Sequence, residues 1–370
     1  MSENQRYLAL DVFRGMTICF MIIVNSPGGD ISYAPLLHAT WHGFTPTDLV
    51  FPSFLFAVGN AMAFAMYKYQ SQGSSVFWSK TLKRTVIIFL IGYLMYWFPF
   101  YNFQDGHFRP IAHTRILGVL QRIALCYFFA SVILHYGSKK IAIAISALLL
   151  VGYWIILYVY GDPNDPYSLA GFAGNALDVL ILGKDHMYHG EGLAFEPEGI
   201  LSTLPSIVNV IAGYLAGDFI RKHGNSYETI AKLMITGAVL ILLALTWNMT
   251  FPINKKIWTS PFVLLTVGID LLILPTLIYV IEILKSVKWT YFFVVFGRNP
   301  LFIYLLSELL LITLFQIKIG DKNVPAWLFR DFFGTFASPI NASFLFAFFF
   351  MLTNWAVGYF LDKKKIYIKV

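Results

Sequence analysis

Residues 8–66 read LALDVFRGMTICFMIIVN (8–25), SPGGDISYAPLLHATWHGFTPT (26–47) and DLVFPSFLFAVGNAMAFAM (48–66). The first and last stretches are apolar and close to the roughly 20 residues that a membrane-spanning helix needs. Asn25 ends the first run, Asp48 opens the second, and two histidines, a tryptophan and a Gly-Gly pair lie between them. Ionisable and hydrogen-bonding side chains concentrated at a membrane edge indicate a functional site. The stretch therefore predicts two membrane helices joined by a functional loop.

The composition extends this interpretation to the whole chain. Of 370 residues, 58% are hydrophobic and 13% are charged, and the mean hydropathy is +0.66, which is typical of a polytopic membrane protein. Apolar segments of spanning length occur at 8–25, 47–67, 85–100, 113–135, 141–160, 199–220, 230–250, 260–284, 296–317 and 341–361. We expect an all-α bundle of about ten transmembrane helices, forming a single domain over residues 1–370 with the lipid bilayer around it.

The distribution of lysine and arginine orients this bundle, because cytoplasmic loops carry more of these residues. With the N-terminus inside, sixteen basic residues, among them Arg6, Lys68 and Lys369, lie on the cytoplasmic side and eight on the other. The bias predicts a multi-pass protein of the cytoplasmic (inner) membrane, N-in and C-in, with the loops 26–46 and 161–198 over the outer, periplasmic mouth. The net charge of +7 gives little reason to expect a nucleic-acid partner.

His38 and His42 are the first candidates for chemistry. An imidazole at a membrane interface can act as a general base, relay a proton, bind a metal or simply hydrogen-bond to a loop carbonyl. Their i, i+4 spacing would suit zinc on a helix, but Gly43 disfavours a long helix there. Cys19 and Cys126 both fall inside apolar runs, so they indicate neither a disulfide framework nor a cysteine metal site. No metal is expected.

Asn25 and Asp48 end and begin neighbouring helices on the same side, so their side chains should stand at similar depth. Asp48 follows Thr45 at the spacing of a helix cap, where an acid is favourable. It could also orient a histidine. Asn25 could merely end its helix, or it could donate a hydrogen bond to a carbonyl oxygen.

The arginines on the predicted inner side form a second group. Arg84 begins the third span, where ordinary cytoplasmic enrichment explains it. Arg14 and Arg122 lie inside apolar runs, where a guanidinium needs an anionic partner or a water-filled cavity. Arg298 and Asn299 precede a proline and resemble a helix start, at which backbone N–H groups and a cation together could hold a phosphate.

Six stretches resemble one known family. They are LDVFRGMTICFMIIVN (10–25), HATWHGFTPTDLVFPSFLFAVG (38–59), ILGVLQRIALCY (116–127), EPEGILSTLPSIVNVIAGYLAG (196–217), FPINKKIWTSPFVLLTVGIDLL (251–272) and FGRNPLFIYLLSE (296–308). Together they are similar to the catalytic domain of heparan-α-glucosaminide N-acetyltransferase and its bacterial relatives. The six stretches run in order and span most of the chain.

The resemblance implies transmembrane transfer of acetyl from cytosolic acetyl-CoA to the amino group of a terminal glucosamine on the far side. The family's active-site histidine falls on His38, its motif asparagine on Asn25, and the aspartate of its DLVFP stretch on Asp48. His42 stands where the animal enzyme has asparagine. By analogy with the family, a homodimer is expected.

Chemistry at these residues is consistent with that assignment. His38 could take the proton that an ammonium must lose before it attacks a thioester, while Asp48 fixes its tautomer and Asn25 donates to the oxyanion. Direct transfer is favoured over an acetyl-histidine route. The inner residues Arg14, Arg84, Arg122, Arg298 and Asn299 would bind the CoA phosphates. Tyr33, Trp41, His42 and Glu198 would contact the amino-sugar or glycan acceptor.

Two other functions fit the same residues. An O-acyltransferase acting on an exported glycan would differ only in its acceptor. A sugar or solute transporter would also use buried acids and arginines, but it predicts inverted repeats with paired broken helices, and the sequence shows no internal repeat.

Overall fold

The structure is a computed structural model that describes residues 7–66, 73–102 and 106–368. Its α-helices in this part of the chain are α1 (Leu8–Asn25), α2 (Pro46–Ala65), α3 (Ser74–Trp97), α4 (Val119–Tyr136), α5 (Lys139–Tyr160), α6 (Ala173–Leu182), α7 (Ile200–His223), α8 (Tyr227–Trp247), α9 (Ser260–Ile278), α10 (Thr290–Arg298), α11 (Pro300–Gln316), α12 (Val324–Trp327) and α13 (Pro339–Lys363). Arg6, Lys68 and Lys369, which contribute to the predicted orientation, lie outside the described residues.

Short elements complete the connections. Two antiparallel hairpins pair β1 (Tyr101–Asn102) with β2 (His107–Phe108), and β3 (Lys318–Ile319) with β4 (Lys322–Asn323). The 3-10 turns are Ala34–Leu36, Ile111–His113, Lys184–His186 and Phe333–Thr335, and the π-helical turns are Tyr279–Ile283 and Leu328–Phe332. The predicted all-α class is confirmed.

Eight helices of the described chain are long and apolar enough to cross a membrane, and these are α1, α2, α4, α5, α7, α8, α13 and α9 with its π-helical extension. The pair α10 and α11 makes a ninth if it counts as one bent span. The remaining predicted segment corresponds to α3, whose 24 residues carry Lys80, Lys83 and Arg84 in the first half. Each of the ten predicted segments therefore overlaps helix.

The ninth predicted segment, 296–317, contains the helix start that the sequence predicts at Arg298 and Asn299. The structure breaks the segment at Asn299 and bends α10 against α11 by 83°. Asn299 has φ −130° and ψ 51°, outside the helical region, and Pro300 follows it. Proline disfavours the helical conformation of the residue before it, so the dipeptide accounts for the break.

The contact between α2 and α7 fixes α2, whose first turn carries Asp48. A Cβ on Gly59 of α2 would lie 2.0 Å from the carbonyl oxygen of Val210, and one on Gly213 of α7 would lie 2.0 Å from that of Phe56. Small residues let membrane helices approach closely enough for backbone packing. Any larger side chain at either position would force the two helices apart.

The connection between α5 and α7 folds back over the bundle end at which α1 ends and α2 begins. Its helix α6 packs against α7, and Oδ1 of Asp178 in α6 accepts a hydrogen bond of 2.8 Å from the backbone N–H of Ile200, the first residue of α7. Burial raises the pKa of Asp178 to about 7, with the nearby Glu196 acting in the same direction and Arg122 opposing it.

Because this pKa is raised, the protonated form of Asp178 stabilises the folded protein. Its full contribution to the free energy of unfolding is present below about pH 4, the ordinary pKa of aspartate. This contribution is lost as the pH rises through about 7. Asp178→Asn keeps the acceptor oxygen and removes the titration. We expect the variant to unfold at a higher temperature than the wild type above pH 7 and at the same temperature near pH 4. Thermal unfolding in detergent across this range checks it, and parallel curves would contradict it.

Candidate active site

A cavity of about 640 Å³ opens at the end of the bundle that carries His38. Its walls come from α1, α2, α3, α4 and α11 and from the four connections 26–45, 98–118, 161–199 and 248–259. We call this the His38 end of the bundle and the opposite one the Arg14 end. Charged groups of both signs line the cavity, namely Asp48, Glu191, Glu198, Glu308, Arg115, Lys255 and Lys256.

Asp48 and His38 form the central pair of this cavity. Nδ1 of His38 lies 2.7 Å from Oδ1 of Asp48, whose side chain is 1% exposed while that of His38 is 44% exposed. Oδ2 of Asp48 accepts hydrogen bonds from the backbone N–H groups of Thr45 at 2.9 Å and Ala39 at 3.2 Å. A carboxylate can only accept, so Nδ1 of His38 carries the proton and Nε2 is left as a base. Asp48 thus caps α2 and orients His38 at once.

Lys255 joins this pair from the connection between α8 and α9. Its ammonium lies 3.0 Å from Nδ1 and 3.3 Å from Nε2 of His38, and 3.8 Å from Oδ1 of Asp48. Burial lowers the pKa of Lys255 to about 8, against the opposing charges of Asp48 and Glu198. Lys255 falls inside the family stretch 251–272 but has no predicted role, because its contact with His38 arises only in the folded chain.

The turn that presents Lys255 is organised by Asn254, which is fully buried. Oδ1 of Asn254 accepts from the backbone N–H of Ile257 at 3.1 Å, and the backbone N–H of Asn254 donates to the Thr259 hydroxyl at 3.0 Å. Nδ2 of Asn254 lies 3.3 Å from Nδ1 of His42, which accepts this hydrogen bond. Burial lowers the pKa of His42, consistent with a neutral, accepting ring. His42 therefore supports the turn and does not line the cavity.

Trp258 closes the turn and forms one wall of the cavity although its side chain is only 1% exposed. The Arg122 guanidinium stacks 4.9 Å from its ring centroid, and its indole N–H donates to Oδ1 of Asn209 at 3.1 Å. The backbone of Trp258 has φ +51°, a left-handed conformation that is unfavourable for a bulky residue. The surrounding contacts thus hold this ring against a local backbone preference.

Arg115 organises the facing wall. Its guanidinium binds both oxygens of Glu196, reaches Oε2 of Glu198 at 2.7 Å, and lies between the rings of Tyr96 and Tyr188 at 4.9 and 5.1 Å. Glu198, predicted to contact the acceptor, does line the cavity. The sequence predicts no role for Arg115 in the site, because its role depends on these tertiary contacts, although it stands directly before the family stretch 116–127.

Asn25 also lines the cavity, where its side chain hydrogen-bonds with Glu308 of α11. This places the predicted trio of Asn25, His38 and Asp48 around one space.

Two predicted acceptor-binding residues, Tyr33 and Trp41, lie elsewhere. The Tyr33 hydroxyl bonds with Asn341 and its ring packs on α13. The Trp41 indole donates to the carbonyl of Tyr167 at 2.8 Å. Both belong to loop packing, and neither is among the described residues that line the cavity.

Two smaller pockets lie at the Arg14 end. One, of about 210 Å³, is lined by Arg14, Asp11 and Asn60, and the buried amide of Asn60 has no hydrogen-bond partner among the described residues. The other, of about 180 Å³, is lined by Arg84 with Lys80 and Lys83. Arg14 donates to Asp11 at 2.8 Å and to the carbonyl of Gly297 at 2.9 Å.

Arg298 and Asn299 are occupied by other contacts at this end. Arg298 forms an ion pair with Asp362. The Asn299 side chain donates to the carbonyl of Ile366 at 3.0 Å and accepts from the N–H of Ile368 at 2.8 Å, so it ties the C-terminal tail to the break between α10 and α11. A phosphate would have to displace these partners.

Arg122 is the clearest correction to the predicted inner group. It is fully buried in the first turns of α4, where it bonds with Ser202 and with the carbonyl of Gly199 and stacks on Trp258. These contacts place it at the His38 end, behind the cavity wall, since α4 enters the bundle from that end. The predicted grouping failed because sequence position within a span does not define depth.

Comparison with known proteins adds an independent observation. Residues 6–253 match the profile described as heparan-alpha-glucosaminide N-acetyltransferase, catalytic. The chain belongs to this family. It is 29% identical over 358 residues to the heparan-alpha-glucosaminide N-acetyltransferase of Homo sapiens, which covers 82% of the chain, and 27% identical over 377 residues to that of Mus musculus, which covers 87%. The chain spans 53% and 56% of the length of these two relatives.

The profile match includes the loop with His38 and Asp48 and the segment with Glu196 and Glu198, and it ends at residue 253. The alignments with the two relatives cover 82% and 87% of the chain and so extend past it, over the turn that carries Lys255.

We expect Arg115→Met to destabilise the protein strongly, because it leaves the fully buried carboxylate of Glu196 without its cation. Breaking a buried ion pair costs about 3–5 kcal/mol in free energy of unfolding, and adding Glu196→Gln should recover part of it. As a matched control, Lys322→Met removes the exposed pair with Asp331 and should change the free energy by about 1 kcal/mol or less. Denaturant unfolding in mixed micelles measures both, and equal losses would contradict the assignment.

Proposed function

We propose that this protein transfers acetyl from cytoplasmic acetyl-CoA to the amino group of a glucosamine-type sugar at the outer face of a membrane, with His38 as general base. The observation that carries the proposal is the His38–Asp48 pair, joined at 2.7 Å and facing a cavity of about 640 Å³, in a chain that belongs to the family of the heparan-alpha-glucosaminide N-acetyltransferase catalytic domain. The names of the relatives describe N-acetyl transfer to heparan-alpha-glucosaminide for those proteins.

The walls of the cavity support an amino sugar as acceptor. Glu198 and Glu308 place carboxylates where a sugar ammonium would enter, and oppositely charged partners favour binding of that form. The rings of Tyr96, Tyr188 and Trp258 line the same space and offer apolar faces for a pyranose. This aromatic set takes over the role that the sequence assigns to Tyr33 and Trp41.

The transfer then follows from the proton positions at His38. Asp48 holds the proton on Nδ1, so Nε2 can take the proton that the attacking nitrogen loses. The amide of Asn25 could donate to the oxygen of the tetrahedral intermediate, where such a donor is most effective. The C–N bond forms to give this intermediate, and the C–S bond breaks when the intermediate collapses to the amide and CoA. We favour direct transfer because the cavity has room for both substrates beside His38.

The donor would be held from the Arg14 end. Arg14 and Arg84 line separate small pockets. The buried amide of Asn60, which no described residue hydrogen-bonds, offers both a donor and an acceptor there. Cations and free polar groups suit phosphates and the amide-rich arm of CoA. Twelve residues of α2 separate Asn60 from Asp48, which corresponds to about 18 Å along the helix. The extended arm would cross this distance, with the Arg14 end cytoplasmic.

The test uses purified protein in proteoliposomes with radiolabelled acetyl-CoA and glucosamine. We expect N-acetylglucosamine from the wild type and at least a 100-fold lower rate from His38→Ala, with acetyl-CoA affinity within about twofold. His42→Asn is the matched control, since an asparagine oxygen can also accept from Asn254, and its rate should stay within about threefold. Acetylation of a hydroxyl instead would indicate the O-acyltransferase, and solute uptake without product would indicate a transporter.

We expect Arg14→Ala and Arg84→Ala each to raise the Kd for acetyl-CoA about tenfold or more, because each removes a cation from the donor pockets. Arg298→Ala should raise it less, since Arg298 is not among the described residues that line either donor pocket. Calorimetric titration with acetyl-CoA in detergent measures all three. Unchanged affinity in both Arg14→Ala and Arg84→Ala would refute the donor site.

A further inference from the structure

We propose that Lys255 is a second catalytic residue, the general acid that protonates the departing CoA thiolate and then recovers its proton from His38. The inference rests on the proposed acetyl transfer and deepens it. A base alone leaves two protons unassigned, the one that the departing sulfur gains and the one that His38 must give up afterwards. Lys255 accounts for both.

The contact between Lys255 and His38 carries the proposal. The ammonium of Lys255 lies 3.3 Å from Nε2 of His38, the atom that would take the proton of the attacking amine, and 3.0 Å from Nδ1. Both side chains line the same cavity. A thioester placed for attack beside His38 is therefore within reach of the Lys255 ammonium as well.

The steps balance without a further reactant. The acceptor attacks as the free amine, its ammonium proton having left to water beforehand. The C–N bond forms at the thioester carbon, and His38 takes one proton from that nitrogen. As the C–S bond breaks, its electron pair stays on sulfur and Lys255 gives the sulfur a proton. This leaves a protonated imidazole beside a neutral amine, 3.3 Å apart. Transfer between them restores both groups, and the net products are the amide and free CoA thiol.

The surroundings of Lys255 suit an acid that must act near neutrality. Its ammonium faces Asp48 from α2, His38 from the loop before it, Glu198 from the segment before α7, and Lys256 from its own turn. Burial lowers the pKa of Lys255 to about 8 despite the two carboxylates. A general acid is most effective when its pKa lies near the operating pH, and the ordinary pKa of a cysteine thiol, about 8.5, is close to that of Lys255.

The fold holds Lys255 in this position through backbone contacts on both sides of it. The N–H of Gly43 donates to the carbonyl of Ile253 at 2.8 Å, and the N–H of Trp258 donates to the carbonyl of Lys255 at 3.0 Å. The loop that carries His38 and the turn that carries Lys255 are thereby joined directly. Such fixed geometry is what a relay between two side chains requires.

The test compares two donors, acetyl-CoA and S-acetyl-4-nitrobenzenethiol, whose thiolate leaves without needing a proton. For Lys255→Met we expect kcat to fall about 100-fold or more with acetyl-CoA and less than about fivefold with the activated thioester. Lys255→Arg keeps the charge but is too weak an acid, so it should behave like Lys255→Met. In the wild type, kcat with acetyl-CoA should fall as the pH rises through about 8, and this limb should disappear in Lys255→Arg.

Controls separate this role from others. Lys256→Met removes a neighbouring ammonium and should change kcat with the two donors by the same factor. Thermal unfolding and titration with acetyl-CoA verify that each variant is folded. Equal loss with both donors in Lys255→Met, or recovery by Lys255→Arg, would overturn the proposal while leaving acetyl transfer intact. Absence of transfer by the wild type from either donor would overturn the proposed function together with it.

Discussion

The carboxylate of Asp48 is the constraint on which the rest of the candidate site depends. Buried at 1% exposure, it has lost its water and must be satisfied by protein groups, because an unpaired buried charge is costly. It meets this need with the backbone N–H groups of Ala39 and of Thr45, the residue before α2. The imidazole of His38 and the ammonium of Lys255 complete its surroundings. One buried charge thus sets a helix start, a tautomer and the position of a lysine, and none of these can shift independently.

The remainder of the fold keeps that carboxylate in place. Backbone contact at Gly59 and Gly213 locks α2 onto α7, and the segment just before α7 supplies Glu196 and Glu198 to the opposite wall. The helix pair α2 and α7 therefore fixes two walls of the cavity, one at the start of α2 and one just before α7. Connections that are distant along the chain meet at that pair, where hydrogen bonds to backbone groups hold them in position. The two carboxylate-rich walls stand at a fixed separation as a result.

Segment 25–52 could be interpreted from the sequence because its polar residues are local to one loop between two apolar runs. The helices were predictable for the same reason, since hydrophobic length is a local property. Lys255 and Arg115 could not be assigned, because their roles arise only when separate connections meet. Trp41, predicted to contact the acceptor, lies against the loop of Tyr167, because an aromatic ring near a membrane surface serves packing as readily as recognition. The break at Asn299 was foreseeable from the proline after it, but its angle depends on tertiary contacts.

The left-handed backbone of Trp258 separates two kinds of selection. On conformational grounds alone position 258 prefers glycine or asparagine, since a bulky residue there costs about 1–2 kcal/mol. The buried ring outweighs this preference, because truncating a buried tryptophan costs about 3–5 kcal/mol and would remove its contacts with Arg122 and Asn209. A library of variants screened for stability alone would therefore keep a large ring at this position in spite of its backbone. Comparison with a library screened for turnover would show whether the substrate restricts the choice of ring any further.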